Sequence, residues 1–180
     1  MLPAAQVPSL VDEHGYFTAA PQVLHARGFS EDEALAEVAA QLATARAHGL
    51  TITYLDTHMG VSWLGNLSAR LADFAAREGL VNAATIPHLP PLRPAAPDPV
   101  SDLLGRLQIA APGTYIYLNH PADDSAETRR WDAGVAPWRA AESRLWRSPR
   151  VRQAFTELGV CPCSYAALPG VGTPVSQAVL

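Results

Sequence analysis

The chain contains no lysine. All 13 of its basic side chains are arginine, against 17 acidic ones, for a formal net charge of −4 at pH 7. Exclusive use of arginine reflects genome base composition more than function, but the sign of the balance matters. A nucleic-acid binder needs a basic surface to neutralise phosphates, so nucleic acid is not an expected partner. Cysteine is almost absent too. Cys161 and Cys163 are too few for a disulfide framework, and their spacing strains an intrachain bond. A reducing cytoplasm is the expected location. No apolar run approaches the ~20 residues that cross a bilayer. The segment Met1 to Pro8 has neither a basic n-region nor an apolar h-region. No signal peptide and no membrane partner are expected. Internal repeats, low-complexity tracts and a Gly-rich loop following a strand are also missing, which argues against nucleotide binding.

What is present is enough for one domain. Hydrophobic residues make up 48% of the 180 positions and charged ones 17%, as in a globular protein with a real core. Residues 1–29 carry turn formers and no helical period, with Asp12-Glu13-His14-Gly15 as a turn between two extended pieces. The first clear helix starts at Ser30, which forms a capping box with Glu33. Leu35, Val38 and Leu42 give it an apolar stripe, and Gly49 is placed to end it at C′. Thr51 to Asp56 is β-branched and aromatic and reads as a strand. A helix over 64–78 follows, with Leu67, Leu71 and Phe74 on one face, then a short buried strand over 80–86. The Pro-rich stretch 87–99 reads as a loop. A helix over 100–109 leads to a second strong strand, Thr114 to Asn119. Helices over 137–147 and 149–158 follow, the last with Ser148 as N-cap and Pro149 at its first position. Val160 to Tyr165 is a candidate final strand, and 169–180 a flexible tail. Alternating strands and helices with short links predict an α/β fold with a largely parallel sheet. The pattern leaves barrel and open sheet undecided.

In parallel α/β folds, functional groups gather at the C-terminal ends of strands. The first strong strand ends Leu55-Asp56-Thr57-His58-Met59-Gly60. Asp56 and His58 are two apart, so an extended chain points them to one face, where a carboxylate and an imidazole can bind a divalent cation or act as an acid–base pair. Gly60 permits close approach of backbone or ligand. The second strand ends Leu118-Asn119-His120-Pro121, and proline keeps His120 extended. The plainer alternatives are an aspartate that caps the next helix and histidines that only tie down loops. Trp63 follows the His58 loop and is the best of the four tryptophans for stacking on a sugar, although packing explains most of them. His88 lies in the Pro-rich loop, and His14 and His25 are placed in loops. Asp123 and Asp124 could touch substrate or cap a loop. Arg129 and Arg130 read as solvated.

These residues resemble a known family. Leu55 to Gly60 resembles the T-H-x-D-[ST]-H segment of the YdjC-like (ChbG-type) carbohydrate deacetylases, in the D-T-H-M-G form some members show. Pro8-Ser9-Leu10-Val11-Asp12-Glu13-His14-Gly15-Tyr16-Phe17 resembles their P-S-L-V-D-x-x-G-x-F loop. Leu118 to Pro121 resembles their late H-P motif, and Arg144 through Tyr165 their ending. The resemblance implies a distorted (β/α) barrel related to polysaccharide deacetylases, spanning residues 1–168 as a single incomplete domain. It implies hydrolysis of N-acetyl groups on amino-sugar oligosaccharides with a divalent metal, magnesium or zinc. In that reading His58 is a metal ligand, His120 a general acid or oxyanion partner, and Asp56 a catalytic-site carboxylate beside the metal that orients His58. Trp63 is the candidate substrate contact.

The family also opens with a strand ending N-x-D-D-x-G and a later H-L segment, which carry the aspartate ligand, the probable base and the first histidine. Neither occurs here, so the metal site is expected to be incomplete in this chain. The missing front corresponds to ~60–90 residues, counted as two or three βα units. Three expectations stay open: part of a longer deacetylase, a subunit completed by a second chain, or an inactive relative that binds sugar or a partner. A homo-oligomer is compatible with all three.

Overall fold

The structure, a computed structural model, describes residues 2–18, 20–92 and 96–168. The stretch 169–180, read above as a flexible tail, lies outside the described residues. The described residues pack as two compact units. One is drawn from Met1–Thr85 with Cys163–Leu180, the other is Ile86–Pro162.

In the first unit, residues 11–17 form a tight antiparallel turn, with Val11 bridged to Phe17. Asp12 builds it: its Oδ1 accepts the backbone N–H groups of His14 and Tyr16, both at 2.9 Å. A short helix α1, Pro21–Arg27, follows. This corrects the reading of 1–29 as non-helical and of His25 as a loop residue. Seven residues supply too few turns for an apolar period to show, though Pro21 at the first position was the available start signal. Helix α2, Glu31–Ala47, starts where expected, with the Ser30 Oγ accepting the Glu33 N–H. The reciprocal half of the capping box is rerouted. Ser30 N–H donates to the Ser9 Oγ at 2.8 Å, while the Ser9 hydroxyl and N–H both donate to Glu33 Oε2 at 2.7 Å. Ser9 thereby ties the N-terminal loop to the start of α2, beside a buried cluster of Val7, Leu10 and Val11. At the other end Gly49 sits at C′ as expected, with Leu50 N–H reaching back to the Ala45 carbonyl.

Strand β1 is only Tyr54–Leu55, paired in parallel with β2, Val81–Asn82. Between them runs α3, Leu67–Glu78, so this stretch is a βαβ unit. The expected parallel sense holds for this pair, but the expected strand lengths do not. Asn82 stops β2: its side chain accepts the Ala84 N–H at 3.1 Å and its carbonyl accepts the Thr85 hydroxyl, turning the chain into a 3-10 turn at Ala83–Thr85. With β2 this short, β1 has nothing further to pair with there. Helix α3 buries Leu67, Leu71 and Phe74, the face read from the sequence. It starts three residues late because Leu64-Gly65-Asn66 is a turn held by Glu31, whose Oε1 accepts the Asn66 N–H at 2.7 Å. A Cβ on Gly65 would run into that carboxylate.

In the second unit, α4 (Pro99–Ile109) is capped by Asp98, and α6 (Ala136–Leu145) and α7 (Pro149–Leu158) pack on it. The core is Leu89, Leu103, Leu145 and Val151, with Tyr115, Tyr117 and Phe155 against it. A short helix α5, Ala126–Trp131, was not read from the sequence, although its Ser125 cap accepts the Thr128 N–H. The strand expected over Thr114–Asn119 is reduced to one parallel bridge between Ile116 and His88. Ile116 donates to the Pro87 carbonyl and accepts from Leu89, both at 2.9 Å. The facing segment contains Pro87, Pro90 and Pro91, which have no N–H to donate, so the ladder ends after one step. The strand proposed over 160–165 is also not formed. That stretch is irregular and leads into a 3-10 turn at Tyr165–Ala167. Cys161 and Cys163 are free and exposed. No described helix is long and apolar enough to cross a membrane.

Candidate functional site

The exit of β1 is shaped by its backbone. Thr57 is still extended, and the chain then turns through Met59 (φ 53°, ψ 18°) and Gly60 (φ 66°, ψ 31°), both left-handed. Met59 is the one non-glycine residue with positive φ among the described residues. An L side chain there costs roughly 1–2 kcal/mol, so a strained turn follows directly on the D-T-H segment. Gly60 serves this turn. A Cβ at Gly60 would meet nothing within 4 Å, so close approach is not its role here.

That turn lies against a hollow of about 620 Å³, a size typical of small-molecule sites. Its walls are largely apolar, from α2 (Ala34, Val38, Leu42), α3 (Leu67, Leu71, Phe74) and the N-terminal loop (Leu10, Phe17). Its polar patch includes Asp56, Thr57 and His58. The structure thus brings Asp56 and His58 to one hollow, as the spacing of two required. Both are exposed to solvent. Asp56 Oδ1 accepts the Thr57 N–H at 2.7 Å, so part of the plainer reading, a carboxylate tying down its own loop, holds as well.

Two aromatic groups border this region. Tyr54 and Tyr165 stack with centroids 4.2 Å apart and planes 21° apart, and Tyr54 also lines the hollow. Burial, and then the nearby Asp56 charge, push the Tyr165 hydroxyl above its ordinary range, so it stays a proton donor. Sequence reasoning missed this pair as site residues. The signal was there for Tyr54, since positions 54, 56 and 58 share one face of an extended chain. Tyr165 comes from far along the sequence and gave no such signal. Trp63, the sequence's sugar candidate, packs edge-on against His25 at 5.3 Å and is half exposed; it is not among the residues lining the hollow.

His120 belongs to the second unit and is held by its backbone. Its N–H donates to Glu142 Oε2 at 2.9 Å, and the Trp138 indole donates to the other oxygen, Oε1, at 3.2 Å. Glu142 is only 7% exposed, so this is a carboxylate kept inside by two neutral donors. Trp146 donates to Asn119 Oδ1 at 3.3 Å and meets the Tyr117 ring edge-on. Burial, with the Asp102 carboxylate beside it, pushes Tyr117 up to about 12. Glu142 was also missed from sequence; its i, i+4 spacing from Trp138 was the available signal. Asp124 forms a two-bond ion pair with Arg129 at 2.7 and 2.8 Å, so Arg129 is not simply solvated. The Asp123 backbone carbonyl accepts the Ser125 N–H, a turn contact that does not involve its side chain. His88 faces Ile116 across a backbone bridge, and its side chain is exposed.

Among the described residues, no three His, Cys, Asp or Glu side chains converge as a metal-holding group. A divalent ion needs more donors than Asp56 and His58 supply. The described residues therefore do not by themselves fit a complete ion site.

A family profile described as YdjC-like protein matches residues 1–157. Among curated proteins, no match is found.

Proposed function

This chain belongs to the YdjC-like family, which is associated with carbohydrate deacetylase-like function, and on that premise we propose that it serves the hydrolysis of N-acetyl groups on amino-sugar oligosaccharides. The observation that carries the reading is the family match across the chain, joined to the placement of Asp56 and His58 on one hollow of ligand size.

The chemistry follows from the groups. Water adds to the amide carbonyl, the C–N bond breaks, and acetate and a free sugar amine leave. The adding water must lose a proton, and an exposed carboxylate such as Asp56 can take it. The departing amine must gain one, and histidine suits that task because its pKa lies near neutral pH. In this reading that histidine is His120, whose backbone is fixed by Glu142. His58 is the residue assigned to a divalent ion, magnesium or zinc, which would polarise the carbonyl when bound. The distorted (β/α) barrel belongs to the same proposal, supported by the parallel βαβ unit of β1, α3 and β2.

The test is acetate release from an N-acetylated chitin oligosaccharide, with magnesium or zinc supplied. Release that His58→Ala abolishes is the expected result. No release by a form of the protein that carries the family's front segments would overturn the reading. Binding of the oligosaccharide without release would point instead to a sugar-binding relative.

A further inference from the structure

The hollow in the first unit is mostly apolar, with polar lining from Asp56, Thr57 and His58 at the exit of β1, from Glu37 and Gln41 of α2 and from Thr18. An occupant at the exit of β1 would meet hydrogen-bonding groups there and apolar surface around them. Asp56 supplies the first, as an exposed carboxylate able to accept hydroxyl hydrogen bonds. For the second, the aromatic pair at this exit is Tyr54, two residues before Asp56 in the chain, and Tyr165. Their near-parallel stack, 4.2 Å between centroids, covers one face of each ring and fixes both in place. Tyr54 nonetheless remains 44% exposed, a large share for an aromatic with a partner, and it lines the hollow. A rigid aromatic surface beside a carboxylate matches a pyranose, whose ring carbons present an apolar C–H face and whose edge carries hydroxyls. Trp63 is engaged by His25 and takes no part in this stack, of which Tyr54 lines the hollow.

We propose that the Tyr54–Tyr165 stack is the sugar platform of this site, taking the apolar face of an N-acylated pyranose while Asp56 accepts its hydroxyls. The proposal rests on the deacetylase reading for its substrate class, and adds the residues that set sugar affinity. Tyr54 lies two residues before Asp56, and Tyr165 arrives from the end of the described chain. The platform is thus complete only when residues after Cys163 are seated in the first unit.

The experiment is titration of the full chain with an N-acetylated chitin trisaccharide, followed by calorimetry and by NMR transfer from sugar C–H protons to tyrosine ring protons. Tyr165→Ala is expected to weaken binding by about three- to tenfold, and Tyr165→Phe, which keeps the ring, to stay within about twofold. Trp63→Ala should bind like the parent. Transfer to tyrosine rings is expected in the parent, a readout that needs no variant to fold. Parent-like binding by a folded Tyr165→Ala, or bound sugar without transfer to tyrosine rings, overturns the platform. So does the absence of any binding at millimolar sugar. The two readings separate cleanly. Acetate release with an unchanged KM in Tyr165→Ala sinks the platform alone. Sugar binding that needs Tyr165, with no acetate release, keeps the platform and sinks the deacetylase reading.

Discussion

In the second unit Leu89, Leu103, Leu145 and Val151 close on one another in a filled cluster. In the first, Leu67, Leu71 and Phe74 of α3 are just as buried, yet they look onto a hollow of about 620 Å³. The units differ in their elements, since both named strands lie in the first and the second has helices and one isolated bridge. They also differ in how each fixes its candidate histidine. His120 donates its own backbone N–H to a buried carboxylate, Glu142. His58 starts a turn made by two left-handed residues at the rim of the unfilled space. One histidine is positioned by a hydrogen bond from its own N–H to a buried carboxylate and the other by backbone conformation. The unit with the hollow gives up core contacts around it.

The largest effect should appear where the packing contrast is sharpest. Leu103, 2% exposed, sits in the filled cluster, and its change to alanine should cost about 3–5 kcal/mol. Leu71, 3% exposed, already borders the hollow and has fewer contacts to lose, so Leu71→Ala should cost about 2–3 kcal/mol. Urea unfolding, followed by probes in each unit, measures both. Equal losses would mean the hollow is filled in solution, and the comparison would fail.

Next in size is the carboxylate that anchors His120. Glu142→Ala strands the His120 N–H and the Trp138 indole N–H, for about 1–2 kcal/mol, with the lower part of the range set by the half-exposed Trp138. Glu142→Gln keeps one acceptor oxygen and should recover about half of that loss. If acetate release falls in Glu142→Ala and returns in Glu142→Gln while stability tracks separately, Glu142 positions the histidine. The matching element in the first unit is Ser9, which joins Glu33 and Ser30. Ser9→Ala should cost about 1 kcal/mol by freeing the start of α2. Amide exchange at Ser30 and Glu33 reads it directly.

The contrast also marks what the sequence could show. The long helices were legible because their signals are local: the Ser30 cap, Pro149 at the start of α7, and the Leu67, Leu71 and Phe74 stripe. Strand extent was not legible, because a strand needs a partner and the partner's fitness is written elsewhere. Prolines around His88 and the side-chain cap of Asn82 cut β pairing that Thr114–Asn119 and Thr51–Asp56 each invited on their own. The site divides in the same way. The common face of Asp56 and His58 followed from period two. The Tyr165 ring and the Glu142 carboxylate reach their places through contacts 111 and 22 residues away, counted from Tyr54 and from His120, and no local pattern announces them.

The smallest expected effect compares one half-buried carboxylate in each unit. Asp98 caps α4, accepting from Val100 N–H, Ser101 N–H and the Ser101 hydroxyl at 2.9, 3.0 and 2.7 Å. Asp12 accepts from Tyr16 and His14 N–H. Both carboxyls are held below the ordinary aspartate range, Asp98 mainly by the Ser101 N–H and Asp12 mainly by that of Tyr16. A carboxyl whose folded pKa is depressed adds stability above its unfolded pKa of about 3.9 and loses it as pH falls through the folded value. The window is therefore acidic, opening below about pH 4 and leaving neutral stability untouched. Asparagine keeps an acceptor oxygen and caps a helix about as well, but does not titrate there. Asp98→Asn should thus leave Tm at pH 7 nearly unchanged and flatten its fall on acidification. Asp12→Asn should do the same more weakly, since it replaces two bonds rather than three. An acid limb unchanged by both variants would mean that neither carboxylate keeps these hydrogen bonds in solution, and that the ordering of the N-terminal turn needs another cause.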